Sequence, residues 1–193
     1  MHKRCRTRQN EKMAGSWDGG IMAQTDTGAG TGQIGYRVLG IYLNDHLAGA
    51  TAGTELAHRV ARTHRAHGQD GQLKRLAVEV AQDRAALISM MKALGIPVRA
   101  YKVCAGWIGE KAGRVKFNGR LLARSPLSDL EELELLRLGV EGKAAGWRTL
   151  RTLADTEKRL DAGHLDELMS RARRQADLLE ELRVRAASQV VSS

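Results

Sequence analysis

The sequence predicts an all-α protein built as one four-helix bundle, and three observations carry that prediction. Four stretches repeat apolar residues at the three-to-four-residue interval of a buried helix face. No run of β-branched residues alternates with period two, so no sheet is expected. The connections are also unequal: short turns near residues 68–71 and 155–161 close two helical pairs, while residues 96–125 separate the pairs. That spacing predicts a hairpin, a crossover and a second hairpin.

Residues 1–35 read as a disordered tail, and residues 36–190 as the single folded domain. Lys3, Arg4, Arg6, Arg8 and Lys12 stand against Glu11 in the first twelve positions, and residues 13–35 are rich in Gly, Ser, Thr and Asp without a hydrophobic period. Met13 and Met22 offer internal starts that would remove the basic part. Residues 30–35 (GTGQIG) match the dinucleotide-binding pattern formally. That chemistry needs a strand before the glycines and a βαβ unit around them. Neither is readable here, so the segment is expected to be a flexible linker.

Helix 1 is expected over residues 36–66. Tyr42, His46, Gly49, Gly53, Leu56 and Val60 mark its inner face, with Asn44, Thr51, Glu55, His58 and Arg62 opposite. The small residues Ala48, Gly49, Ala50, Ala52 and Gly53 cost helix propensity, which predicts close approach of a neighbour, with Trp107 or Trp147 as the partner. Helix 2, residues 72–95, buries Leu73, Leu76, Val80, Leu87, Met91 and Leu94, with Asp83 in the gap of that stripe, and stops at Gly95-Ile-Pro97. A shorter crossover helix is expected over residues 99–116, with Val103, Trp107 and Ile108 inward. Ser125 before Pro126 reads as an N-cap followed by proline at the first helical position. Helix 3, residues 126–154, buries Leu130, Leu133, Leu136, Val140, Ala144, Trp147 and Leu150. Asp161 caps helix 4, residues 161–190, with the stripe Leu165, Leu168, Ala172, Gln175, Leu179, Leu182 and Ala186. A five-helix up-and-down array, with residues 99–116 as an equal member, is the alternative.

This wiring resembles the ferritin-like fold, in which two helices each give a Glu and two others each give Glu-x-x-His to a pair of metal ions. The resemblance implies helix 2 parallel to helix 3, with Asp83 near Gly139. It stops at the metal motif: helix 2 reads Glu79-Val-Ala-Gln82, helix 4 reads Arg174-Gln175-Ala176-Asp177, and His164-Leu-Asp-Glu167 has the reversed order. Residues 42–53 (YLNDHLAGATAG), 125–128 (SPLS) and 138–143 (LGVEGK) are also similar to an uncharacterised actinobacterial family of small helical proteins over residues 36–190. That likeness implies no particular activity.

Composition narrows the function classes. The net charge of +9 invites a nucleic-acid reading, but acids interleave with bases through every helix and only seven residues are aromatic, which weighs against base stacking. Cys5 and Cys104 form no metal or redox spacing, and no stretch is long and apolar enough to span a membrane. A cytoplasmic protein with no cofactor and no metal is the expectation. No catalytic constellation is legible, so a non-enzymatic bundle acting by self-association or partner binding is favoured over a carboxylate-only metal protein or a nucleic-acid binder. Four inward polar residues are the candidate binding groups: Asp83 with Gln175 as a pair, and His46 on helix 1 with Glu167 near it. Glu134 and Glu141 flank helix 3 and are expected to pair with Arg173, Arg174 or neighbours.

Overall fold

The computed structural model describes residues 27–63, 70–99 and 126–191. Their backbone forms four α-helices and no strand: α1 Thr27–Thr63, α2 Asp70–Ala93, α3 Pro126–Ala154 and α4 Ala162–Val191. The expected crossover helix, the 68–71 turn apart from its last two residues, and Trp107 lie outside the described residues. So does the tail up to residue 26.

α1 starts ahead of the expected residue 36, so residues 30–35 lie in its first turns rather than in a linker. Once a helix is nucleated, each added residue gains a hydrogen bond, and even glycines can extend it. The described residues just before the dinucleotide pattern, 27–29, are helical rather than a strand.

The caps follow the sequence closely. At the end of α2 the Ile96 amide donates to Met91 O at 2.8 Å and the Gly95 amide to Lys92 O at 3.0 Å. Gly95 sits at φ +70°, where a side chain would be strained. These paired bonds end the helix at a left-handed glycine, and Pro97 prevents its continuation. At the start of α4, Asp161 Oδ1 accepts the His164 amide at 3.1 Å, the expected N-cap.

Side-chain pairs fix the directions. Arg59 late in α1 meets Glu132 early in α3 at 3.1 Å, and Tyr42 meets Thr149 at 3.1 Å, so α1 and α3 are antiparallel. Arg84 Nε donates to Thr51 Oγ1 at 2.9 Å across the antiparallel α1–α2 pair. Arg151 pairs with Asp166 at 3.0 Å and Arg137 with Glu180 at 3.3 Å, so α3 and α4 are antiparallel too. α2 and α3 therefore run parallel, and Lys143, one turn beyond Gly139, reaches Asp83. This is the hairpin–crossover–hairpin connectivity expected. At the Asp83 layer α2 meets α3 and α4 directly, with no fifth member between them among the described residues.

The buried stripes of α2, α3 and α4 are those read from the sequence, with Leu130 half-buried at the edge. α1 is rotated from its expected phase. Leu43, Leu47, Leu56, Ala57, Val60 and Ala61 form its core face, whereas Tyr42 and His46 are half-buried and Gly49 is exposed. The small residues 48–53 offer no large apolar side chain to fix the phase. Asn44, expected outside, is 1% exposed. Its amide donates to Gly40 O at 2.7 Å and Pro97 O at 3.2 Å, and its Oδ1 accepts the Arg99 amide at 2.8 Å. Asn44 thereby ties the chain leaving α2 onto α1, and Ile96 Cγ2 lies 3.6 Å from the place a Gly40 Cβ would take.

Tyr36, Glu157 and Arg159 make a second tie at this end. Arg159 Nη2 donates to Glu157 Oε2 and to the Tyr36 hydroxyl, both at 2.6 Å, and the hydroxyl also bonds Glu157. The Nη2 bond to Oε2 and a second from Arg159 Nε to Oε1 at 2.8 Å hold Glu157 as a carboxylate.

Candidate functional site

α2, α3 and α4 each place one polar residue in the gap of an apolar stripe, and the three gaps coincide. Asp83 follows Leu76 and Val80, Gln175 follows Leu168 and Ala172, and Lys143 follows Leu136 and Val140. Lys143 Nζ donates to Asp83 Oδ2 and to Gln175 Oε1, each at 2.5 Å. Gln175 Nε2 donates to Glu79 Oε2 at 2.8 Å and more weakly to Asp83 Oδ2 at 3.4 Å. Arg171, one turn before Gln175, closes on Asp83 Oδ1 as an ion pair.

Asp83 is 1% exposed and Gln175 2%, so the expected inward pair is present. Its main partner, however, is the Lys143 ammonium. Burial pulls Lys143 below the usual lysine range, and the Asp83 carboxylate opposes that shift. Two carboxylates, Glu79 and Asp83, face two cations here, which leaves the layer electrically balanced. The donors a carboxylate-bound metal would need are engaged by Lys143, Arg171 and Gln175. Among the described residues, no three His, Cys, Asp or Glu side chains converge as a metal-ligand set.

Above this layer, between α1, α2 and α3, lies a cavity of about 410 Å³. Asp83 and Lys143 form part of its lining, Leu87 and Leu150 are among its apolar walls, and Gly49 and Gly53 of α1 and Gly139 and Gly142 of α3 also border it. A Cβ built on any of these four glycines would meet nothing within 4 Å among the described residues. Among the described residues no neighbour packs on Gly49 or Gly53, so the predicted Trp147 contact is not made at these two positions, and the other expected partner, Trp107, lies outside the described residues. Gly146 is the exception, because its Cβ would lie 3.2 Å from the His46 ring.

His46 lines the same cavity and meets the Tyr42 ring edge-on at 4.4 Å. Burial lowers its pKa, and the neighbouring Asp45 raises it less. Glu167 is not with it. It lies on the surface, 81% exposed, and pairs with His164 at 3.5 Å. The reason is helical phase: Glu167 is two residues from Leu165, about 200° around α4 from a core position. Glu134 pairs with Arg183 at 3.6 Å and Glu141 with Arg137 at 4.0 Å, rather than with Arg173 or Arg174.

Trp147 completes the wall. It is 2% exposed and its indole N–H has no acceptor among the described residues. Reading the chain alone missed Lys143, Arg171 and Glu79 as members of the layer. The signal for Lys143 was available, since positions 136, 140, 143, 147 and 150 alternate four and three like the stripes that revealed Asp83 and Gln175.

No helix among the described residues is long and apolar enough to cross a membrane. Comparison with known proteins finds no matching family model, no matching curated protein and no matching solved structure.

Proposed function

We propose that this chain is a non-enzymatic binding protein that holds a small apolar ligand in the groove between α1 and α3. The observation that carries this reading is the set of mid-helix glycines with no neighbour beside them among the described residues. Each glycine in a helix interior costs about 0.8–1.0 kcal/mol relative to alanine. Gly49, Gly53, Gly139 and Gly142 receive no packing contact in return among the described residues. What they give is width, and the resulting volume falls within the about 300–1,000 Å³ usual for small-molecule sites.

A solvatochromic dye such as Nile red tests the reading. It should bind the whole chain with one-to-one stoichiometry, and Gly139→Leu, which fills the groove, should abolish uptake without lowering the melting temperature. Uptake that survives Gly139→Leu would overturn it. Uptake that appears only in Trp107→Ala would assign the groove to the chain's own 100–125 segment instead.

Self-association is the second reading, favoured by Leu135 and Leu138, which are exposed together on α3. Light scattering on the purified chain tests it, and a monomer unchanged by Leu138→Lys would remove it.

A further inference from the structure

We infer that the end of the bundle where the chain leaves α2 is a second binding site, separate from the groove, and that it takes a small organic phosphate monoester. A cavity of about 390 Å³ lies there, between the first part of α1, the cap of α2 and the turn joining α3 to α4. Those three elements each bring one arginine to its lining: Arg37, Arg99 and Arg159. No acidic side chain lines it among the described residues.

The three arginines are not equivalent. Arg159 is held by Glu157 through Nε and Nη2, and its Nη1 donates to Leu94 O at 3.3 Å, so its charge is answered and its position fixed. Arg37 and Arg99 are exposed and have no carboxylate partner among the described residues. Two unanswered guanidiniums on one cavity match a phosphate monoester, which is a dianion above its second pKa of about 6. A carboxylate or a phosphodiester supplies half of that charge. Each guanidinium also offers paired N–H donors that fit a phosphate face. The end of α2 does not oppose an anion here, because its last carbonyls are occupied: Met91 O by the Ile96 amide, Lys92 O by the Gly95 amide and Leu94 O by Arg159.

The backbone that carries Arg99 is anchored. Buried Asn44 accepts the Arg99 amide at 2.8 Å and donates to Pro97 O at 3.2 Å, so the fold itself supplies much of the ordering that binding would otherwise have to impose. Buried Leu94 and Ile96, with Pro97 beside them, give the cavity an apolar part. A bare phosphate ion cannot fill that part, and the volume lies within the about 300–1,000 Å³ of small-molecule sites. The ligand therefore carries a small apolar body on its phosphate.

Phenyl phosphate is the probe, titrated calorimetrically into the full-length chain at about 0.15 M salt, where loose surface attraction is largely screened. At about pH 7.5 it should bind about tenfold more tightly than benzoate or methyl phenyl phosphate, and more tightly than inorganic phosphate. Its advantage over the diester should shrink at about pH 5, where the monoester carries a single charge. Arg37→Gln and Arg99→Gln should each weaken it about tenfold. Arg62→Gln, in the last turn of α1, should not weaken it. Arg37 and Arg99 are exposed, so the melting curves of their variants should match the parent. Gly139→Leu should leave phenyl phosphate binding unchanged, which keeps this test separate from that of the groove.

Failure of phenyl phosphate to bind would overturn the site, and so would an equal loss in Arg62→Gln and Arg99→Gln, which would reduce the effect to overall charge. Benzoate or the diester binding as tightly would overturn the dianion, and inorganic phosphate binding as tightly would overturn the apolar body. A single-stranded oligonucleotide that displaces phenyl phosphate and is weakened by the same two changes would overturn the small ligand and assign the arginines to a nucleic acid.

Discussion

Replacing Asp83 by leucine removes a carboxylate that both Lys143 and Arg171 contact. The two cations then differ in their escape routes. Arg171 is 23% exposed along its side chain and can turn its guanidinium to water, whereas Lys143 is 13% exposed and is enclosed by α2, α3 and α4. The cost is therefore chiefly that of a buried, uncompensated ammonium, about 3–5 kcal/mol when one partner of a buried pair is removed. For a chain of this size that is a fall in melting temperature of about 6–20 °C. Changing Lys143 to methionine in the same chain removes the stranded charge and keeps the stem's volume, so Asp83→Leu with Lys143→Met should recover most of the loss. Urea unfolding of the parent, the two single variants and the double variant gives the coupling, expected to exceed ~2 kcal/mol. The corresponding cycle with Gln175→Leu should give a smaller coupling, because the direct Gln175–Asp83 contact is the long one at 3.4 Å. Additive losses for Asp83 and Lys143 would refute the reasoning, since they would mean the pair is solvated and not a closed layer.

Three further outcomes follow from the same geometry. Gly139→Ala should stabilise the fold by about 0.5–1 kcal/mol, because the new methyl meets no neighbour among the described residues, while weakening dye uptake; a destabilised variant in thermal melts would contradict the open groove. Glu157 is held well below the usual carboxyl range by Arg159 and Tyr36, so its contribution is complete above about pH 4.3 and fades as pH falls towards its folded value. The melting-temperature gap between the parent and Glu157→Gln should therefore shrink in acid, and a gap that is constant from pH 6 to 2 would argue against the Tyr36–Arg159 tie. His46 is shifted the other way in consequence. Burial lowers its pKa, so the unfolded chain takes up the proton first and the fold loses stability as pH drops through about 6.5. His46→Gln should flatten the melting-temperature profile between pH 7 and 5.

How far the sequence could be read depended on side-chain size. In α2, α3 and α4, Leu, Met, Val and Trp recur often enough to fix the phase of each helix, and with it the inward placing of Asp83 and Gln175. In α1 the Gly/Ala run at 48–53 carries no such marker. The phase slipped there, which buried Asn44 and left His46 only half-buried. Pairing between helices was less legible than facing. Glu167 was placed by level along the bundle alone, and level says nothing about the angle around α4 that sends it into solvent. Lys143 was hidden by its type, since a lysine in a stripe reads as an interruption until a carboxylate is seen opposite it. Whether glycines mean contact or space is decided by the distance between helix axes, which no spacing along one chain contains.

The charge layer draws Asp83 and Glu79 from the first hairpin, and Lys143, Arg171 and Gln175 from the second. Each hairpin is local in sequence and can assemble early, whereas bringing the two together must close the long connection between α2 and α3. The ions meet only at that docking step. Interactions absent from the folding transition state act on the rate at which the native state comes apart rather than on the rate at which it forms. On that account the Asp83–Lys143 pair is a latch. Its loss would leave refolding nearly as fast as before and shorten the lifetime of the docked protein, so that the two hairpins would part more often at an unchanged rate of assembly.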